Sequence, residues 1–168
     1  MREARELLRH FLAALAYRTQ KALRGAPESF GDFRVEPGVR TPKELVRHMQ
    51  NVLGYARTLF VGGRYRAPLA ATFAEQVAAF HEMLESLSEH LATDAPIGGM
   101  SEARLLQGPL ADAMTHAGQL AMLRRLAGTP VPPENFIAAD IDKENVGPNQ
   151  PPPVSPDRHW YTAEDENR

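Results

Sequence analysis

Residues 69–91 read LAATFAEQVAAFHEMLESLSEHL and place Leu69, Phe73, Val77, Phe80, Leu84, Leu87 and Leu91 at four- and three-residue steps. That spacing lines one side of a helix with a period near 3.5, the seam used by helices that pack at about 20° in a bundle. It predicts a helix over 69–92. On its N-terminal side, Thr41, Pro42 and Glu44 form a helix start. Threonine caps a free N–H, proline suits the first helical position, and glutamate stands three residues after the cap. A second helix over 42–60 follows, ended by Gly62 and Gly63. Between Arg2 and Leu23, the residues Leu7, Leu8, Phe11, Leu12, Leu15 and Leu23 recur at helical spacing, which predicts a first helix over 2–24 stopped by Gly25 and Pro27. A fourth helix over 101–127 carries Arg124 and Arg125 in its last turn, where cations suit the helix dipole, and Gly128 follows it. No segment reads as a strand. The expectation is an all-α chain, an antiparallel four-helix bundle over 1–128.

Two stretches depart from that pattern. Residues 27–40 are rich in glycine and proline, and Phe30 and Phe33 suggest a crossover loop folded onto the bundle, with Phe33 plugging its end. Beyond Gly128 lie eight of the fourteen prolines, including Pro151 to Pro153, and the acidic ending TAEDENR. A packed helix does not suit that composition. An irregular proline-rich tail over 129–168 is expected, partly packed on the bundle or a neighbouring subunit through Phe136, Ile137 and Ile141, with its last dozen residues mobile.

Composition narrows the functional classes. A chain of 168 residues can bury a core without staples. Its formal net charge of -2 argues against a phosphate-driven nucleic-acid binder and a polybasic membrane anchor. No run approaches the length of a membrane span, and the N-terminal MREARELLRH lacks a leader's pattern, so a cytoplasmic protein is expected. With no cysteine, there is no disulfide, catalytic thiol or thiolate-held metal.

Any metal chemistry therefore falls to imidazole and carboxylate. His48 follows Leu45 by three residues and precedes Val52 by four, inside the apolar stripe of the second helix. His116 precedes Leu120 by four and lies beside Ala113 and Ala117, on the inner half of the fourth helix. Asp112, four residues before His116, projects from the neighbouring turn of the same face. Two readings of the pair stand: a shared ion, with a further ligand from a facing helix, or a plain side-chain contact at the helix edge. The remaining histidines, His10, His81, His90 and His159, read as solvated. Gln119 and Asn51, each a turn beyond a candidate ligand, have two uses, a hydrogen bond to that ligand or a structural one, with the structural reading favoured, and Tyr17 and Tyr55 read as amphipathic bundle-end residues. Arg64, Arg66, Arg124 and Arg125 read as solvated, although an arginine at a bundle mouth can receive an anionic substrate.

Two segments, TPKELVRHMQNVLGYA at 41–56 and ADAMTHAGQLAMLRRLAGTPV at 111–131, resemble the DinB-like superfamily of metal-binding four-helix bundles, and the likeness extends loosely over residues 2–140. In that family one histidine of the second helix and two histidines four residues apart on the fourth typically bind a divalent metal, the last followed closely by Gly-Gln. His48 matches the first, His116 matches the last ahead of Gly118 and Gln119, and Asp112 stands in place of the other histidine. The resemblance implies a divalent ion, zinc, nickel, iron or manganese, on His48, Asp112 and His116. It also implies a homodimer and a metal-dependent transferase or hydrolase, with a small thiol or other small molecule as substrate. The competing expectation is a non-catalytic, stress-associated binding or interaction protein whose metal site is structural or vestigial.

Overall fold

A computed structural model describes residues 2–157. Helix α1 spans Arg2–Leu23, α2 Pro42–Val61, α3 Phe73–Leu91, α4 Glu102–Leu105 and α5 Ala111–Leu126. Short 3-10 turns cover Glu28–Asp32 and Phe136–Ala138, and among the described residues there is no strand, only an isolated bridge between Glu134 and Pro156. The chain is all-α. Helix α1 packs against α5 and α3, and α2 packs against α3 and α5. Between them lies one core that includes Leu12, Leu15, Met49, Leu53, Phe80, Leu84, Leu87 and Leu120. Each such side chain contributes about 1.5–3 kcal/mol when fully buried.

Local chemistry sets most of the helix ends. At α2, Thr41 Oγ1 accepts the Glu44 N–H at 3.2 Å while Glu44 Oε2 accepts the Thr41 N–H at 2.7 Å, and Gly62 closes the helix at φ 75°. Helix α3 starts at Phe73, four residues later than the seam predicts. Thr72 and Glu75 form a second capping box, and the Glu28 carboxylate accepts the N–H groups of Phe73 and Ala74. With its first-turn donors satisfied there, the helix has no need of another turn, and Leu69 is left 71% exposed.

The expected single helix over 101–127 is interrupted. After the turn of α4, residues Leu106–Leu110 form a π turn in which the Ala111 N–H reaches Leu106 O, five residues back. Pro109 lies inside that turn. It has no N–H to offer and its ring crowds the preceding turn, so the backbone widens by one residue instead of keeping the α ladder.

The tail lies back over α1 and α3. Val146 is buried and its carbonyl meets His81 Nδ1 at 2.9 Å. Tyr17 donates to Glu134 at 2.6 Å, and the Arg24 guanidinium donates to the carbonyls of Gln150 and Pro151 at 2.8 and 2.9 Å. The Arg18 guanidinium sits 3.8 Å from the Phe136 ring centroid. Phe33 packs at the core edge, stacked on buried Phe30.

Three expectations of solvation need correction. His81 is 1% exposed, because the tail covers the α3 face that the sequence pattern leaves to water. His90 is half-buried and stacks on Phe60 at 5.5 Å. Arg124 is buried, donating to Thr129 O at 2.9 Å and, at 3.3–3.4 Å, to the carbonyls of Arg24 and Ala22 that end α1. Arginine at that position satisfies free helix-end carbonyls, which outweighs its exposure to water. His10 is exposed, and His159 and the final acidic stretch lie outside the described residues.

Two predictions follow from this packing. His81 donates through Nδ1, so its Nε2 is a buried lone pair with no partner among the described residues, and burial holds the imidazole below its ordinary value of 6.5. The unfolded chain therefore binds the extra proton first, and stability is full above about pH 6.5 and falls as pH drops towards the depressed folded value. In urea titrations at several pH values, His81→Leu should flatten this acid-side slope while losing about 1 kcal/mol of hydrogen bonding at neutral pH. An unchanged slope contradicts the assignment. Gly54 is a packing constraint of a different kind: a Cβ there would lie 2.0 Å from Tyr65 Cδ1, and the Tyr65 hydroxyl is fixed by Gln50 at 2.7 Å. Gly54→Ala should lower the unfolding free energy by about 1–2 kcal/mol net of its helix-propensity gain, read by thermal or urea denaturation.

Candidate metal centre

His48 sits on the second turn of α2, and Asp112 and His116 on the first two turns of α5. Contact between α2 and α5 brings the three together. His48 Nε2 lies 3.3 Å from Asp112 Oδ2, and His116 Nε2 lies 3.4 Å from Asp112 Oδ1. The two imidazole rings are nearly perpendicular, with centroids 4.8 Å apart. One ligand atom from each residue falls within 4.8 Å of the others, so the cluster could hold a metal ion.

Burial is graded across the cluster. His116 is buried, His48 half-buried, and Asp112 exposed, its side chain retaining 45% of its accessible surface. The inward carboxylate expected from the helical wheel is thus a rim residue, which joins the two imidazoles while still meeting solvent. Burial is the main cause holding His48 below its ordinary value, followed by the charges of Arg40 and His116, while Asp112 works in the opposite direction.

Gln119 is where sequence reasoning falls short. Its Oε1 lies 2.7 Å from His116 Nδ1. A carbonyl oxygen there accepts the Nδ1 proton, which directs Nε2 towards the Asp112 carboxylate. With Nδ1 engaged by Gln119, Nε2 is the nitrogen placed to ligate a cation beside that carboxylate. Metal-ligating histidines are commonly oriented in this way through their other nitrogen. The donor set of two imidazoles and a carboxylate fits zinc, nickel, iron or manganese. The usable signal was the three-residue spacing of His116 and Gln119 on one helix.

The other candidates lie elsewhere or hold structure. Asn51 Oδ1 accepts the Ala67 N–H at 2.6 Å, tying the loop after α2 to that helix. Tyr17 is engaged with Glu134, whereas Tyr55 is exposed and lines a cleft of about 650 Å³ beside Asp112. Arg66 lines a different cleft that reaches His48, together with Arg34, Arg40 and Arg47, which sequence reasoning did not single out.

In metal-free protein, the His48 ring should titrate below 6.5 in an NMR pH series. Arg40→Gln should raise that midpoint only part of the way, because burial is the larger cause. A midpoint at or above the ordinary value in the native chain would contradict this electrostatic account. No family model, curated protein or solved structure matches the chain.

Proposed function

We propose that the chain is a DinB-like antiparallel four-helix bundle that holds a divalent metal on His48, Asp112 and His116 and acts as a metal-dependent transferase or hydrolase on a low-molecular-weight thiol or similar small substrate. The observation that carries this reading is the convergence of the three ligand atoms within 4.8 Å. The Gln119 contact, which frees His116 Nε2 for a ligand role, supports it further. Substitution of a carboxylate for one imidazole shifts the preference towards harder ions within the set zinc, nickel, iron and manganese.

The chain's own residues have separable roles in this reading. His116, buried and fixed by Gln119, anchors the site. His48 brings α2 to the same point, and exposed Asp112 leaves the solvent side accessible beside the cleft lined by Val52, Tyr55 and Thr115. Three protein ligands leave coordination positions free for a substrate atom. A divalent ion bound there would supply Lewis-acid chemistry, lowering the pKa of a coordinated thiol or water. A homodimer belongs to the same proposal.

Elemental analysis of untagged protein prepared without chelator tests it. The native chain should carry close to one divalent metal per chain, and the His48→Ala/His116→Ala double variant none, with helical circular dichroism retained. Gln119→Ala should keep the metal but weaken its affinity by about 10–100-fold. No metal in the native chain even after reconstitution would overturn the proposal and leave a binding or interaction role.

A further inference from the structure

The candidate metal centre stands between two clefts of different character. On the His48 side, a cleft of about 550 Å³ is walled by Arg34, Arg40, Arg47 and Arg66, with Glu44 as the one acidic residue among the described residues that line it. Glu44 is already committed to the Thr41 N–H at 2.7 Å and to Arg34 at 3.2 Å. Arg47 spends its Nε and one Nη on the Ala67 carbonyl at 3.2 and 3.1 Å. Arg40 and Arg66 make no hydrogen bond or ion pair among the described residues. On the Asp112 side, the cleft of about 650 Å³ presents Val52, Tyr55, Pro109 and Ala111, and Asp112 is the only charged residue among the described residues that line it. Asn51 lines both clefts, so they adjoin along α2.

A cleft of about 570 Å³ at the start of α1 also gathers basic residues, yet most of them are consumed. Arg5 is bound to the carbonyls of Thr93 and Ala95 and to Glu102, Arg9 to Glu6 and Glu144, and Lys143 to Glu6. In the cleft beside His48 the lining carboxylate, Glu44, is already engaged, so Arg40 and Arg66 have no counter-charge of their own there among the described residues. A guanidinium fork matches the geometry of carboxylate and phosphate oxygens, and paired forks select an oxyanion over a neutral group. The patch is small and the chain's net charge is -2, which favours a small anion over a polyanion.

We infer that the ligand of this site is a small amphipathic oxyanion, its charged group clamped by Arg40 and Arg66 and its apolar body lying against Val52 and Tyr55 in the neighbouring cleft. A molecule spanning the two clefts passes the His48, Asp112 and His116 cluster. The placement of a reacting atom there rests on the metal reading above, but the clamp itself does not. Both clefts fall within the 300–1,000 Å³ typical of small-molecule sites.

NMR shift titrations of the full chain, as purified and after metal removal, test the clamp with three probes of similar length: pentanoate, butyl phosphate and pentan-1-ol. At least one of the two anions should bind about tenfold more tightly than the alcohol in both preparations, with shifts centred on residues 34–55. The stronger anion identifies the oxyanion as carboxylate or phosphate. Arg40→Gln/Arg66→Gln should erase the preference for anions, while Arg64→Gln, outside the cleft, keeps it. Equal binding of all three probes, or a preference that survives the double substitution in a folded variant, would overturn the clamp. Elemental analysis separates the two ideas: metal without anion preference rejects only the clamp, and anion preference without metal rejects only the metal centre.

Discussion

A missing hydrogen governs the geometry around the candidate centre. Pro109 cannot donate to the helical ladder, and the widened turn from Leu106 to Leu110 inserts one residue ahead of α5. Each residue advances a helix by roughly 100°, so that insertion resets which face of α5 looks towards α2. Asp112 and His116 share the reset face and meet His48 across the helix contact. The ligand geometry therefore begins three residues upstream of the first α5 ligand, in a residue with no donor of its own.

How much of this is readable without coordinates depends on how far away the deciding partner lies. The start of α2 is legible because Thr41, Pro42 and Glu44 act within one turn. The start of α3 is less so, because Glu28 supplies acceptors from 45 residues away. His81 and Arg124 carry the composition of surface residues, and only the path of the tail and the end of α1 explain their burial. The ligand candidates were legible as helical spacing on two separate segments. The partnership of His116 with Gln119 was also available in spacing, but a glutamine at that distance has several local uses and nothing in the sequence chooses among them. The arginine-lined cleft was least legible, since two of its walls come from the glycine- and proline-rich stretch before α2, whose course no periodicity describes.

The buried polar groups show a common economy. Gln76 donates to Gln50 at 2.7 Å, and Gln50 donates to the Tyr65 hydroxyl at 2.7 Å, a chain of amides that links α3, α2 and the loop after α2. Asn51 and Arg47 hold the same loop through the backbone of Ala67. One face of α2 thus fixes the loop that carries Arg66 by hydrogen bonds, while its neighbouring face presents His48. Side chains that position the loop and side chains available to a ligand alternate along a single helix. The wall of the cleft and the candidate metal ligand consequently share one rigid support.

The course of the tail has a consequence for how the molecule is made. During synthesis the residues of α1 to α5 are all translated before Val146, whose carbonyl completes the cover over His81. The helices are therefore all present before the residues that cover that imidazole emerge, and the core can collapse while His81 still faces water. Ribosome-bound chains halted just past α5 would be a core with one wet flank, which residues 129–157 strap over once they are translated.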